Sequence, residues 1–311
     1  MVHTITLNPA IDKLLFLKEF TKNITNRLDS VNDSIGGKGT HVSINLDLLG
    51  MDNSAYGIVF GETGSKIVKM LSQYKNINVQ FIHKDEMDSR TNYLLIEDNG
   101  DCCILATQGV HLEKEIIDEL IRMLEKSIKP GDSLILSGDT SNCFAPGVYN
   151  YMLEKLPVQG VKLYLDASGP TLKECLEAKP FLIKPNLDEL SQLSGCELET
   201  EEQILAAINE VSDKGIENIA VSLGGDGSIV KSGENIYKVT PPKVNVRNTI
   251  GCGDCFLSGL IYGIENGYET EKTLRLATAI SAATAESQYS VGFDRERAKT
   301  LMDEVEIQKL K

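Results

Sequence analysis

The sequence predicts an α/β protein in which a mainly parallel sheet is covered by helices on both faces. The first observation is that, from about residue 50 onward, short apolar runs alternate with amphipathic segments of helical period. The second is a pair of β-rich runs, 91–97 and 102–107, joined through Asn99-Gly100, a dipeptide typical of hairpin turns. An antiparallel hairpin in such a chain indicates a small sheet that projects from the main body.

The predicted elements follow this alternation along the chain. Residues 1–7 alternate as a strand does, and 13–35 is also strand-like and connects to the hairpin. The further strands are 54–59, 133–137, 161–166, 181–184 and 219–223. The helices are 41–49, 64–74, 112–127, 171–178, 201–214, which opens on a capping-box sequence, and the apolar run 256–264.

No repeat and no flexible linker divides the chain, so we expect a single domain, 1–311. The small sheet, about 12–35 and 89–108, is predicted to form a lid over the carboxyl ends of the main strands. Ligands bind at those ends in open α/β sheets. The lid residues should therefore reach the ligand.

The composition excludes several classes of protein. Of the 311 residues, 41% are hydrophobic and 24% are charged, which is typical of globular proteins. No run of about 18 apolar residues occurs, and the N-terminus lacks the basic start of a secretory signal, so we expect a cytoplasmic protein. The net charge of −14 argues against nucleic acid or an anionic membrane as partner. Any phosphate ligand would need cations and N–H groups gathered locally.

The seven cysteines are too few for a disulfide scaffold in a chain of this length and odd in number. This pattern indicates buried thiols in a reducing compartment. The CxxC spacing of Cys252 and Cys255 leaves redox or metal chemistry as an alternative, although no second CxxC and no nearby histidine accompany it.

The strongest local signal is the segment from Asn248 to Asp254, NTIGCGD, which precedes an apolar helical run. Two glycines around one small residue allow successive N–H groups to point into one space at a helix N-terminus, where an anion is favoured. Asp254 could then accept a hydroxyl proton from an acceptor. Aspartate is also a favoured N-cap residue, so helix capping is the structural alternative.

The segment Gly36–Gly39, GGKG, precedes the helix at 41–49. Its glycines allow close approach to a ligand, and Lys38 offers a charge for a phosphate. The segment matches neither a Walker loop nor a dinucleotide fingerprint. A tight connection is the alternative.

Two further segments follow predicted strands. Ser222–Gly227, SLGGDG, is either a hairpin turn or a loop beneath a nucleotide. Asn186 and Glu189 lie three residues apart at a helix start, which suits either a water-mediated Mg²⁺ site or a helix cap.

Taken in order, these residues resemble the PfkB (ribokinase-like) carbohydrate kinase family, and within it the sugar-phosphate branch of 1-phosphofructokinases and tagatose-6-phosphate kinases. The resemblance covers nearly the whole chain. Its motifs are 6–12 (TLNPAID), the GGKG segment, Arg90, Asp166 with 168–169, 184–189, 221–224 and 248–254.

The resemblance implies a three-layer α/β/α ribokinase-like fold with a β lid that often forms a homodimer contact. It implies transfer of the γ-phosphoryl group of ATP to a ketohexose phosphate with the help of Mg²⁺. Fructose 1-phosphate, giving fructose 1,6-bisphosphate, is the leading substrate. Tagatose 6-phosphate (or tagatose 1-phosphate) is the alternative, and a non-catalytic sugar-phosphate binder is a third interpretation.

The resemblance also implies roles for individual residues. Asp254 is the expected base, with Gly251, Cys252 and Gly253 as the anion hole. The expected sugar-phosphate ligands are Asp12, Gly37, Lys38, His41, Arg90, Ser137 and Arg27. The expected ATP site comprises Lys184, Ser222, Gly224, Gly227, Asn248 and Ser281. Asn186 and Glu189 are expected to order Mg²⁺ through water.

Three positions depart from the family pattern. After GGKG the family has any residue and then Asn, a substrate ligand, whereas this chain has Thr40-His41. Histidine still offers a hydrogen bond, with a different reach and a pH-dependent charge. Asp139 stands in SGDTS where the family has SGSLP, and Cys252 replaces Ala or Ser. The first two departures leave the choice of sugar open.

Overall fold

The strands of the described chain, residues 1–138 and 140–311, divide between a large sheet and a small one. The structure is a computed structural model, and Asp139 lies outside the described residues. In chain order the strands are β1 (Val2–Thr6), β2 (Ala10–Leu17), β3 (Ser30–Gly36), β4 (Asn53–Phe60), β5 (Ile77–Lys84), β6 (Arg90–Glu97), β7 (Cys102–Leu105), β8 (Ser133–Ser137), β9 (Lys162–Asp166), β10 (Leu182–Ile183), β11 (Asn218–Ser222), β12 (Ser228–Ser232), β13 (Asn235–Thr240) and β14 (Glu306–Lys309).

The large sheet has the order β14-β13-β12-β11-β10-β9-β8-β1-β4-β5. In this sheet order, the strands β11, β10, β9, β8, β1, β4 and β5 are all parallel. Strands β12, β13 and β14 extend the sheet antiparallel at one edge. Central strands such as β4 and β8 are buried along their whole length. Parallel strands covered on both faces are continuously apolar, which explains the short apolar runs in the sequence.

Helices cover both faces of this sheet. They are α1 (Lys38–Leu49), α2 (Gly61–Leu71), α3 (Lys114–Glu125), α4 (Val148–Lys155), α5 (Gly169–Cys175), α6 (Leu187–Ser194), α7 (Glu201–Asp213), α8 (Cys252–Glu265), α9 (Thr270–Ala285) and α10 (Arg295–Met302), with 3₁₀ turns at Leu176–Ala178 and Gly224–Asp226.

The alternation of side chains along β8 shows the three layers directly. Leu134 and Leu136 pack in one core cluster with residues of α3, α4 and α7, whereas Ile135 packs in a second cluster with residues of α1, α8 and α9. Successive side chains of a strand point to opposite faces, so each face of the sheet has its own core. The predicted α/β fold with helices on both faces is confirmed.

The small sheet has the order β3-β2-β6-β7. Strand β2 pairs antiparallel with β3 and parallel with β6, and β6 pairs antiparallel with β7 through the predicted hairpin. Gly100 has φ of 88°, a left-handed value that the turn requires. The predicted small sheet is therefore present.

Several boundaries differ from the predicted ones. Helix α1 begins at Lys38 rather than at 41, because Gly37, with φ of 111°, turns the chain directly into the helix. Helix α8 begins at Cys252 rather than at 256, so the glycine segment forms its first turn. The strands β12, β13 and β14 at the sheet edge were not predicted. Within the described residues, no helix has the length and apolar composition needed to cross a membrane.

Candidate active site

The carboxyl ends of four neighbouring strands meet at one cavity. Thr6 ends β1, Ser137 ends β8, Asp166 ends β9, and Lys184 directly follows β10. The cavity has a volume of about 650 Å³. It is lined by Thr6, Asn8, Gly37, Lys38, His41, Arg90, Ile104, Ser137, Gly138, Asp166, Lys184, Asn186, Thr249, Ile250, Gly251, Gly253 and Asp254.

A groove of about 720 Å³ lies at the opposite, amino-terminal edge of β9 and β10. Its charged lining residues, such as Glu154 and Lys179, are exposed at the surface. Buried ionisable groups converge instead at the carboxyl-end cavity, which is where ligands bind in this type of sheet.

The first turn of α8 presents backbone N–H groups to the cavity. Gly251 has φ of 78°, and a side chain there would meet the Ser290 carbonyl oxygen at 2.0 Å. Only glycine can therefore hold this turn. Among the residues that the structure describes, the N–H groups of Gly253 and Asp254 have no acceptor. They are free to bind an anion, as helix N-termini do.

The Asp254 carboxylate lies at the same helix start and is 7% exposed. Its Oδ2 lies 2.6 Å from Nδ1 of His41, which projects from α1. The other ring nitrogen, Nε2, lies 2.8 Å from the Ile35 carbonyl oxygen. Burial alone would lower the pKa of His41, but the hydrogen bond and charge of Asp254 hold it above its usual value.

A shared carboxylate holds two lysines at the cavity. Asp166 is 1% exposed; its Oδ1 lies 2.9 Å from Lys38 Nζ and its Oδ2 lies 3.4 Å from Lys184 Nζ. Burial would raise the pKa of Asp166, but Lys184 and Lys38 together hold it below its usual value. Burial likewise opposes the charge of Lys38, yet Asp166 and Asp254 keep the pKa of Lys38 raised. Lys38 is therefore a cation at neutral pH.

Lys184 also lies close to the N–H groups of α8. A Cβ atom built on Gly253 would be 3.4 Å from Lys184 Nζ. The ammonium group and the helix N-terminus therefore face the same space, which makes it favourable for phosphate.

The small sheet contributes Arg90 and Ile104 to the wall of the cavity, whereas Asp12, a predicted sugar ligand, is not among the lining residues. Asp12 of β2 is 5% exposed and accepts a hydrogen bond from Asn92 Nδ2 at 2.8 Å. Gly36 permits this position, since a side chain there would meet the Asp12 carboxylate at 2.3 Å. Arg90 Nε donates to the Asn8 carbonyl oxygen at 3.1 Å, and Ile104 of β7 also lines the cavity.

Asn186 and Glu189 form a reciprocal capping box at the start of α6. Asn186 Oδ1 accepts from the Glu189 N–H at 2.7 Å, and Glu189 Oε2 accepts from the Asn186 N–H at 2.9 Å. The two side chains therefore form the helix cap that the sequence allowed. It leaves Glu189 Oε1 available, and Glu189 lies near enough to Lys38 to help raise the pKa of that lysine.

This donor set fits Mg²⁺ held through water. Mg²⁺ in kinase sites uses one or two protein carboxylates and completes its shell with water and substrate phosphates. The described residues contain no cluster of three or more acidic, histidine or cysteine side chains placed to hold a metal alone. The metal role of Asn186 and Glu189 remains a prediction.

The residues predicted to bind ATP lie in different parts of the structure. Ser222 lies beside Asn186 through an isolated bridge, and Gly224 faces open space. Gly227 serves the β11–β12 turn, because a side chain there would meet the Val239 carbonyl oxygen at 2.0 Å. Ser281 donates to the Cys252 carbonyl oxygen at 3.0 Å and so lies directly behind the anion site.

Asn248 has an internal role in the structure, and its nucleotide contact stays a prediction. Its side chain is fully buried, with Nδ2 donating to the Ser287 carbonyl oxygen at 2.6 Å and Oδ1 accepting from the Ile250 N–H at 3.0 Å. Asn248 therefore fixes the loop that leads into Gly251. These buried hydrogen bonds use both the donor and the acceptor of the side chain, which is why an amide is needed at this position.

The structure also bears on one predicted sugar ligand, Arg27, and on the redox alternative for Cys252 and Cys255. Arg27 is exposed in the loop between β2 and β3 and does not line the cavity. The thiols of Cys252 and Cys255 are free, and burial raises the pKa of Cys252 to about 12. A thiol in this state lacks the thiolate that redox chemistry requires.

Two contacts in the cavity were not predicted from the sequence. They are the pairing of Lys38 with Asp166 and the contact of His41 with Asp254.

Comparisons with known proteins agree with this geometry. The pfkB family of carbohydrate kinases matches residues 5–294 of the chain. The chain is 33% identical over 286 residues to the 1-phosphofructokinase of Borreliella burgdorferi, covering 92% of each chain. It is 29% identical over 310 residues to the tagatose-6-phosphate kinase of Staphylococcus epidermidis, covering 99% of each.

The fold is also that of a solved kinase. The crystal structure of phosphofructokinase-2 from Escherichia coli in complex with substrates and products superposes with a TM-score of 0.90. The match covers 97% of this chain and 98% of that one at 22% identity. The family match over residues 5–294 and the 33% identity to a 1-phosphofructokinase show that this chain belongs to the PfkB family of carbohydrate kinases.

Proposed function

We propose that the protein transfers the γ-phosphoryl group of ATP to a hydroxyl of a ketohexose phosphate, with fructose 1-phosphate as the leading substrate and fructose 1,6-bisphosphate as product. One observation carries this proposal. The Asp254 carboxylate lies at an anion-binding helix start in the same cavity as the cations Lys38, Lys184 and Arg90. A base beside a phosphate site is what phosphoryl transfer to an alcohol requires.

The reaction needs one proton transfer. Asp254 accepts the proton of the acceptor hydroxyl as that oxygen forms a bond to the γ-phosphorus. The bond from the γ-phosphorus to the bridging oxygen breaks, and ADP leaves with the electron pair. The unpaired N–H groups of Gly253 and Asp254 stabilise the charge on the transferring group.

Positioning and charge neutralisation supply the remaining rate enhancement. Lys184, which lies near Gly253, is placed to contact the transferring phosphate, and Lys38 and Arg90 are placed to contact the phosphate of the sugar. Asn186 and Glu189 would hold Mg²⁺ through water, and Mg²⁺ bound with ATP supplies further charge neutralisation. The small sheet would act as a lid, since closure excludes water that would otherwise compete as acceptor.

The choice of sugar is the open part of the proposal. The similarity to a 1-phosphofructokinase over 92% of both chains favours fructose 1-phosphate, and the full-length similarity to a tagatose-6-phosphate kinase supports tagatose 6-phosphate as the alternative. A coupled assay of ADP release decides between them. It should compare fructose 1-phosphate, fructose 6-phosphate, tagatose 6-phosphate, tagatose 1-phosphate and unphosphorylated sugars, with and without Mg²⁺. Turnover of none of these would support a non-catalytic binder instead.

Replacement of Lys38 or Arg90 with Ala should weaken binding of the sugar phosphate. Each removes a charge-assisted contact worth about 1.5–3 kcal/mol, so the apparent KM for the sugar should rise about 10–100-fold. The apparent KM for ATP should change far less. Lys75→Ala, an exposed lysine outside the cavity, is the matched control. An unchanged KM for the sugar in both variants would remove the proposed role.

The exposed face of the small sheet supports a homodimer contact. Val31 and Leu105 are each about half exposed, and Tyr93 is 39% exposed; the strand register puts all three on the face opposite the cavity-lining Ile104. Exposed apolar side chains grouped on one sheet are typical of interfaces. We expect the molar mass in solution, measured by light scattering, to be twice that of the 34.1 kDa chain. The free cysteines suit a cytoplasmic location.

A further inference from the structure

His41 is held in place at both of its ring nitrogens. Nε2 lies 2.8 Å from the carbonyl oxygen of Ile35, an atom that can only accept a hydrogen bond, so Nε2 carries a proton. Nδ1 therefore faces Asp254 Oδ2, at 2.6 Å, either as an N–H donor or as a lone pair. The ring is 4% exposed, so water cannot take either place.

The distance between Nδ1 and Oδ2 requires a proton between them. Two lone pairs at 2.6 Å would repel, whereas an N–H or O–H group satisfies both atoms. The pair therefore has one proton beyond the one on Nε2. This bond occupies Oδ2 and leaves Oδ1, which has no hydrogen-bond partner among the described residues, for the acceptor hydroxyl.

We propose that His41 is the positioning residue of the base: fixed by Ile35, it keeps one proton between Nδ1 and Oδ2 of Asp254 and so holds Oδ1 ready to accept the hydroxyl proton. This inference rests on the proposed function and deepens it. It also changes the expected role of His41 from a sugar ligand to a group that acts through Asp254. The ring has no nitrogen left for a sugar.

The charged groups around His41 favour keeping this proton. Asp254 faces it from α8, and Asp12 faces it from β2, and both favour the imidazolium form. Lys38 on its own helix is neutralised by Asp166 of β9. The neighbouring thiol of Cys252 stays uncharged because its pKa is about 12. The positive ring thereby also offsets one of the carboxylates in a cavity that must accept phosphates.

The proposal predicts a particular pH dependence. The pKa of His41 lies above the ordinary value of 6.5, so the shared proton is present below that value and is lost as the pH rises through the raised pKa. We expect kcat/KM of the wild type to fall at least about tenfold above that point, the loss of one charge-assisted bond. The contribution of the pair to stability should disappear over the same pH range.

Two variants distinguish positioning from simple packing. His41→Asn supplies an amide N–H to Asp254 at every pH, so its alkaline fall in kcat/KM should vanish. His41→Ala supplies no donor, so its turnover should be lower than that of His41→Asn at neutral pH. His111→Asn, at an exposed histidine that does not line the cavity, should retain the wild-type profile. Identical profiles for the wild type and His41→Asn would overturn the proposal.

A measurement on the folded protein keeps the test independent of turnover. The ¹⁵N shifts of the His41 ring, assigned with His41→Asn, should show Nε2 protonated throughout and Nδ1 titrating above pH 6.5. In Asp254→Asn the titration should move down by about 1 pH unit or more, because the carboxylate charge is gone. A ring that titrates at the same pH in both proteins contradicts the proposal.

The proposed kinase function and the positioning role of His41 can fail separately. If no sugar phosphate is phosphorylated, the proposed function fails, while the ring titration still decides whether His41 and Asp254 share a proton. If phosphorylation occurs and depends on Asp254, but the alkaline fall does not depend on His41, only the positioning role is lost.

Discussion

Replacement of Asp254 with Asn should lower turnover about 10³-fold or more while ATP still binds, since general base catalysis contributes about 10²–10⁴-fold. Asn has the shape of Asp, and its amide can still contact His41, so α8 and the loop before it should keep their positions. The amide cannot accept the hydroxyl proton. The loss should therefore be in kcat, measured by ADP release, with the dissociation constant of ATP little changed.

The control for this variant is Asp52→Asn, which removes the same charge from an exposed aspartate before β4. Its turnover should equal that of the wild type. Near-normal turnover of Asp254→Asn would mean that the reaction proceeds without a carboxylate base. In that case Asp254 would be a helix-start residue, the alternative that its sequence position also allows.

Replacement of Asp166 with Asn should destabilise the protein by about 3–5 kcal/mol, the usual effect of breaking a buried ion pair from one side. The Asp166 and Lys184 side chains are 1% and 6% exposed, so the remaining ammonium group would be buried without a counter-charge. Lys38, whose side chain is 37% exposed, would lose its partner but could still be hydrated. Urea unfolding of the variant and the wild type measures the difference.

Two further measurements test the cause of that loss. The double variant Asp166→Asn, Lys184→Met should recover much of the lost stability, because it removes the charge that the single variant leaves unpaired. In acid, the difference in unfolding free energy between the wild type and Asp166→Asn should also disappear. The pKa of Asp166 is lowered from 3.8, so the pair's contribution is complete above that pH and disappears as the pH falls through the folded value. Equal stability of Asp166→Asn and wild type at neutral pH would show that the pair contributes nothing.

The sequence was informative where local rules decide structure. Apolar runs without alternation predicted strands covered on both faces, and β8 was predicted with its observed bounds. Asn99-Gly100 predicted the hairpin of the small sheet, and the capping-box spacing predicted the start of α7. The less accurate boundaries lie beside glycines. Gly37 and Gly251 have positive φ values of 111° and 78°. Each lets the helix that follows, α1 or α8, begin several residues before its predicted start.

The sequence by itself determined the layers of the fold, the family and several of the residues that line the cavity, such as Lys38, Arg90 and Asp254, because these depend on residue type and order. Only the tertiary structure decided how those residues are paired. His41 and Asp254 are separated by 213 positions, and Lys38 and Asp166 by 128, so no local pattern reports their contacts. Parallel strands bring their carboxyl ends to one edge whatever the distance along the chain, and burial there makes each unpaired charge costly. That cost is the physical reason why each of these charges has an opposite group beside it.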